Sequence, residues 1–158
     1  MQNCLRAPFV LVALLTLMAV GSAQQNLGGG RLAGTWDAAI SRYDCATGVA
    51  DPSFQSTANF HKGGTFTGIT SGPPPASRTP EVGIWRHESG NTYIFRFKAY
   101  MFNPAGVAFA YQIITHRLVL SDDNMSYVSD GEAKIFTING GQIGSGCSSG
   151  VGSRMTFD

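Results

Sequence analysis

The sequence predicts an all-β protein, folded as an eight-stranded antiparallel up-and-down β-barrel. After residue 30 no window shows the sustained i, i+3, i+4, i+7 apolar spacing of an amphipathic helix. Thr, Val, Ile, Phe and Tyr dominate the runs between turns, and the chain has 20 glycines. Short turn signals separate most of these runs, which favours sequential hairpins.

Eight runs have the length and composition of strands. They cover residues 32–41, 54–62, 65–71, 81–88, 92–102, 107–121, 125–138 and 142–157. The pair Gly63-Gly64 is a hairpin signal between the second and third runs. The sixth run is long and does not alternate cleanly, which indicates a β-bulge or strong coiling. Few long crossovers are available, so the pattern favours a barrel over a sandwich.

The first 23 residues have the pattern of a secretory signal peptide. Arg6 precedes an apolar run, and the small residues Gly21 and Ala23 occupy the −3 and −1 positions of a cleavage site after Ala23. We therefore expect export to the periplasm or the extracellular space. Residues 24–31 are predicted to be a flexible lead-in and residues 32–158 the barrel domain, with no membrane span after cleavage.

Two cysteines remain after signal cleavage, Cys45 and Cys147. An even pair in an exported chain is typical of a disulfide, although two free thiols or half of a metal site are alternatives. Cys45 follows the first predicted strand and Cys147 lies in the last. A disulfide between them would fasten the closure of the barrel.

Charge and motif content exclude several functions. The formal net charge is +1, 13% of residues are charged and no basic stripe exists, so nucleic acid is not an expected partner. No Gly-x-Ser-x-Gly elbow, cofactor motif or metal-ligand spacing occurs, and the Gly-rich stretch 145–152 does not lead into a helix. We therefore assign no catalytic residue, no cofactor and no metal, and expect His61, His87 and His116 to be surface or isolated core residues.

Alternation along the strands predicts which side chains face the interior. In the fifth run Tyr93, Phe95 and Phe97 share one face, and in the seventh Tyr127 shares a face with small residues. Inward aromatic residues beside small ones leave room for one small ligand, although simple core packing is the alternative. The predicted pocket residues are Trp85, Tyr93, Phe95, Phe97 and Tyr127. The proline-rich loop 72–80 is either a lid over the barrel mouth or a rigid connection.

The stretch "AGTWD" (33–37), together with "GSRM" (152–155), resembles the calycin superfamily, which includes lipocalins and avidins. The resemblance implies that Gly34 and Trp36 open the first strand and that Arg154 packs across the Trp36 ring at the closed end of the barrel. The chain also resembles small exported bacterial lipocalin-like proteins of unassigned function. That pattern matches at ten positions, namely Trp36, Cys45, Thr47, Gly48, Phe60, Gly63, Gly64, Trp85, Cys147 and Arg154.

Three functions are compatible with the sequence. The first is an exported lipocalin-like barrel that binds a small hydrophobic or aromatic ligand inside. The second follows from a similarity in topology to allene oxide cyclase-like barrels, and is an isomerase or cyclase for which Tyr127 and Glu132 are the first residues to check. The third is a secreted interaction or inhibitor protein that acts through its loops.

Overall fold

The computed structural model describes residues 30–157 and shows the predicted fold. Eight antiparallel strands follow one another around a closed barrel, each paired with its neighbours in sequence. The strands are β1 (Gly34–Tyr43), β2 (Phe54–Phe60), β3 (Thr65–Thr70), β4 (Glu81–Ser89), β5 (Thr92–Phe102), β6 (Ala108–Leu120), β7 (Ser126–Thr137) and β8 (Gln142–Arg154). The signal peptide predicted over 1–23 and most of the predicted lead-in lie outside the described residues.

The first and last strands close the barrel. β1 pairs with β8 in a continuous register that runs from Trp36 opposite Arg154 to Tyr43 opposite Cys147. A closed barrel has no free sheet edge that could pair with another chain. The predicted disulfide is also confirmed, since Cys45 and Cys147 are bonded with their Cα atoms 5.3 Å apart. Hydrogen bonds and one covalent bond therefore hold the same seam.

Local backbone demands explain two expected irregularities. Gly63 and Gly64 connect β2 to β3 with φ angles of 95° and 89°, a region that residues with a Cβ rarely adopt. The register of β6 against β5 shifts by one residue where β5 ends: Met101 pairs with Ala110, but Phe102 pairs with Ala108. The extra residue, Phe109, forms the bulge that the sequence indicated in this strand.

Aromatic and aliphatic side chains fill one end of the barrel, which we call the closed end. It is the end at which β1 begins and β8 ends. Trp36, Leu32 and Leu118 are fully buried there, and Trp36 donates a hydrogen bond from Nε1 to the carbonyl of Leu32 at 3.0 Å. Arg31, predicted to belong to a flexible lead-in, donates hydrogen bonds to the side chains of two turns at this end. The chain before β1 therefore crosses the closed end as a plug.

Arg154 completes the closed end. Its guanidinium lies 4.2 Å from the centre of the Trp36 ring, and it donates hydrogen bonds to the carbonyls of Arg31, Ala33 and Asn124. Gly34 makes this contact possible, because a Cβ at this position would lie 2.6 Å from the Arg154 Nη1 atom. The structure thus brings together the three residues for which the calycin resemblance implied a closing role.

Candidate ligand-binding cavity

The opposite end of the barrel contains a cavity of about 560 Å³. We call this end the mouth; it carries the loops formed by residues 44–53, 71–80, 103–107 and 138–141. The cavity lies between the aromatic core of the closed end and the first two of these loops. Its volume falls within the range of about 300–1,000 Å³ that is typical of sites for small molecules.

Stacked phenylalanines form one wall of the cavity. Phe66 and Phe97 are stacked with ring centres 5.2 Å apart, and Phe95 lies parallel to Phe97 at 6.0 Å. Tyr127 also lines the cavity, next to the Trp36 ring of the closed end. Three of the five predicted pocket residues, Phe95, Phe97 and Tyr127, are therefore located at the cavity.

The other two predicted pocket residues do not line it. Tyr93 is only 1% exposed and Trp85 is 3% exposed, and both pack within the closed end. Trp85 Nε1 donates a hydrogen bond to the carbonyl of His61 at 3.0 Å, which holds the indole against the β2–β3 turn. Strand alternation correctly predicts that both side chains point inward. It does not give their height along the barrel axis, and height decides whether an inward residue meets the cavity.

A buried cluster of polar side chains lies near the mouth. Arg78 donates from Nη1 to Glu81 Oε1 at 2.7 Å, and both side chains are only 7% exposed. On the other side of the guanidinium, the carbonyl oxygen of Gln112 accepts from Nε and Nη2 at 2.5 and 2.6 Å, the amide being oriented so that its oxygen faces these donors. Gln112 pairs across the sheet with Ala99 of β5, a small and buried residue.

Burial controls the electrostatics of this cluster. Loss of solvation raises the pKa of the Glu81 carboxyl above its ordinary value, and the Arg78 guanidinium opposes that rise. Glu81 is not among the pocket residues predicted from the sequence. Strand alternation nevertheless predicts its direction. Glu81, Gly83 and Trp85 lie on the same face of β4, so Glu81 points inward if Trp85 does.

A second polar cluster, formed by His116, Ser129 and Ser148, lies deeper in the cavity. His116 Nδ1 is 3.1 Å from Ser129 Oγ, and His116 Nε2 is 2.9 Å from Ser148 Oγ. Burial lowers the pKa of His116 to about 4, and the negative charge of Asp130 opposes this shift. His116 is therefore neutral at pH 7. One ring nitrogen then donates to a serine and the other accepts from a serine, so the cluster offers the cavity both a donor and an acceptor.

Glu132 and Tyr127 are the two residues predicted for an enzymatic function. Glu132 lies on the outer surface and pairs with Lys134 at 3.3 Å. The buried acid in the cavity lining is Glu81 instead. Burial, and to a smaller extent the negative charge of Glu81, raise the pKa of the Tyr127 phenol above its ordinary value. The phenol is therefore neutral at pH 7 and can donate a hydrogen bond.

The proline-rich loop contributes directly to the site. It contains a short 3₁₀ turn, Pro75–Ser77, and Pro73 and Arg78 line the cavity. The loop is fixed to β5, because Arg78 forms a β-bridge with Met101 and the amide of Thr79 donates to the carbonyl of Tyr100 at 3.0 Å. It therefore covers part of the mouth and delivers a buried cation to the interior.

The remaining histidines do not join the cavity. His61 bonds to Thr67 Oγ1, and His87 bonds to the carbonyl of Gly90. Within residues 30–157 no group of three or more His, Cys, Asp or Glu side chains could hold a metal ion. The same part of the chain contains no helix long and apolar enough to cross a membrane.

Comparisons with protein-family models, with curated proteins and with solved structures found no match to this chain. The assignment of the fold rests on the strand order and register of the barrel.

Proposed function

We propose that this protein is an exported, calycin-like barrel that binds a small hydrophobic or aromatic molecule in its interior. The observation that carries the proposal is the cavity of about 560 Å³, walled on one side by stacked phenylalanines. Removing apolar ligand surface from water against these rings supplies the main driving force for binding. The signal-peptide pattern and the Cys45–Cys147 disulfide support export.

Native mass spectrometry of the protein purified from its own host tests this proposal first, because a bound molecule adds a discrete mass. Titration with the neutral fluorophore N-phenyl-1-naphthylamine provides a second measurement, for which we expect saturable binding of one molecule per chain. Absence of both a retained molecule and saturable fluorophore binding would refute the proposal.

A matched pair of variants locates the binding. Ala133 lines the cavity, whereas the neighbouring Lys134 points outward, as expected for adjacent residues of a strand. Ala133→Phe should weaken fluorophore binding at least tenfold because its ring occupies cavity volume. Lys134→Phe should leave binding unchanged. Equal affinities in the two variants would place the fluorophore outside the cavity.

An isomerase or cyclase is the second candidate, and Glu81 is the observation that favours it. A buried acid with a raised pKa inside a ligand cavity is typical of general acid–base catalysis. If the protein catalyses such a reaction, incubation of the host-derived ligand with fresh protein converts it to a product of identical mass but different chromatographic retention. The Glu81→Gln variant should then lack the conversion, and an unchanged ligand with the wild type would exclude this candidate.

A further inference from the structure

We propose that the cavity selects an uncharged aromatic molecule carrying a hydroxyl group, and that this hydroxyl donates a hydrogen bond to Glu81. The inference rests on the proposed ligand-binding function and specifies the chemical class of the ligand. Charge balance, an open acceptor atom and the position of that atom beside an aromatic ring support it.

The charges that line the cavity disfavour organic anions. Two arginines, Arg42 and Arg78, face three acids, namely Asp44, Asp51 and Glu81. Arg78 is paired with Glu81 at 2.7 Å, and Arg42 is paired with Asp51 at 3.5 Å. Each arginine of the described lining therefore has an acidic partner. An anionic ligand would lose its hydration without gaining an unpaired positive charge.

The second polar cluster is also uncharged at neutral pH. His116 bonds to Ser129 and Ser148 through both ring nitrogens, and all three residues line the cavity. This cluster can bond to hydroxyl or carbonyl groups but supplies no net charge. Neither polar region of the cavity therefore offers an anionic ligand an unpaired positive charge.

Glu81 offers one open acceptor atom. Its Oε1 accepts from Arg78, whereas Oε2 accepts no hydrogen bond from any residue in the described part of the chain. The adjacent residue on β3 is Gly68, and a Cβ there would lie 2.7 Å from Oε2. The glycine therefore leaves uncovered an oxygen that any larger residue would contact. An ionised carboxylate accepts hydrogen bonds and cannot donate them, so its partner in a ligand is an O–H or N–H donor.

An aromatic ring lies beside this acceptor. A Cβ placed on Gly68 would lie 3.1 Å from Phe66 Cζ and 2.7 Å from Glu81 Oε2. The edge of the Phe66 ring and the carboxylate oxygen therefore border the same small space. Phe66 in turn stacks on Phe97. A ligand whose ring packs on these phenylalanines therefore places a substituent next to the carboxylate. This juxtaposition fits a phenol-type hydroxyl better than a hydroxyl on a distant chain.

Four compounds that share the naphthalene ring test the inference at pH 7, with affinities measured by fluorescence titration. They are naphthalene, 2-naphthol, 2-naphthoate and 2-naphthylmethylammonium, which share one ring system and differ in the polar group. We expect 2-naphthol to bind about tenfold more tightly than naphthalene, because hydrogen bonds to charged groups exceed neutral ones in strength. The naphthoate and the ammonium compound should each bind more weakly than 2-naphthol.

Variants assign the discrimination to Glu81. The double variant Arg78→Met/Glu81→Leu removes the acceptor and its counter-charge together, which avoids leaving a buried unpaired ion. In this variant 2-naphthol and naphthalene should bind with equal affinity. Glu132→Leu removes an acid from the outer surface and should leave all four affinities unchanged.

The outcomes separate this inference from the proposed function. If none of the four compounds binds, the inference on ligand class fails. The proposed function fails with it only if the protein also retains no host molecule and does not bind N-phenyl-1-naphthylamine. If naphthalene binds but 2-naphthol binds no more tightly, or if 2-naphthoate or the ammonium compound binds most tightly, only the inference on ligand class is overturned. A preference for 2-naphthol that persists in the double variant also overturns the assignment to Glu81.

Discussion

The buried histidine in the cavity makes folding stability depend on pH in a calculable way. Burial holds the pKa of His116 at about 4 in the folded protein, compared with 6.5 for an exposed histidine. Between these two values the unfolded chain binds a proton that the folded chain does not bind. Stability from His116 is therefore fully present above pH 6.5 and is lost as the pH falls toward 4.

The expected size follows from the same two values. At ~1.36 kcal/mol per pH unit, the difference between 6.5 and about 4 corresponds to about 3 kcal/mol of unfolding free energy. That is a large fraction of the ~5–15 kcal/mol that stabilises a typical domain. Glu81 acts in the opposite direction, because a raised pKa means that the folded protein binds its proton more readily than the unfolded chain. A single pH profile therefore mixes both groups.

Urea unfolding of the wild type and of His116→Gln at several pH values between about 7 and 4 separates them. Glutamine is neutral at every pH and can still bond to Ser129 and Ser148, so the difference between the two proteins reports His116 alone. We expect the wild type to lose about 3 kcal/mol more than the variant over this interval. Parallel pH profiles would show that the folded protein accepts the His116 proton as readily as the unfolded chain, and would refute the reasoning.

Three further predictions concern the closure and the barrel wall. Replacing Cys45 and Cys147 together by serine opens a loop of 102 residues and should lower the unfolding free energy, measured by urea titration, by about 2–5 kcal/mol. An unchanged urea midpoint would mean that strand pairing alone stabilises the contact between β1 and β8. Arg154→Leu removes the guanidinium from the Trp36 ring and from its carbonyl acceptors and should cost about 3 kcal/mol, with a red-shifted Trp fluorescence spectrum; a native spectrum and midpoint would contradict this role. Gly83→Ala places a Cβ 2.1 Å from the Arg96 carbonyl oxygen and should lower the thermal midpoint of unfolding by many degrees. The control variant Gly146→Ala, whose new Cβ has no atom within 4 Å, should change the midpoint little. Equal midpoints for the two variants would show that β4 and β5 separate without cost.

The aromatic wall of the cavity and the inward face of Glu81 could be predicted from strand alternation, whereas the contacts between the polar side chains of the cavity could not. Phe95 and Phe97 are separated by one outward residue, so their common face follows from strand alternation alone. Arg78 belongs to a loop, and loops have no such periodicity. Its contact with Gln112 depends on how the loop packs over the mouth, where Arg78 forms a β-bridge with Met101.

His116 illustrates the same limit. Its two serine partners are 13 and 32 residues away along the chain, and no local pattern links the three. The barrel register places Gly131 opposite both His116 and Ser148. The absence of a side chain at Gly131 allows the ring to approach the serine across the strand between them.

The sequence by itself determined the number, order and approximate limits of the eight strands, the inward faces of β5 and β7, and the pairing of Cys45 with Cys147 as the closure. These properties depend on local alternation, on turn residues and on the covalent chemistry of one cysteine pair. Only the tertiary structure decided the height of each inward residue in the barrel, and with it the division between a filled closed end and a cavity at the mouth. Height depends on strand stagger and loop packing, which are set by contacts between residues distant in the chain.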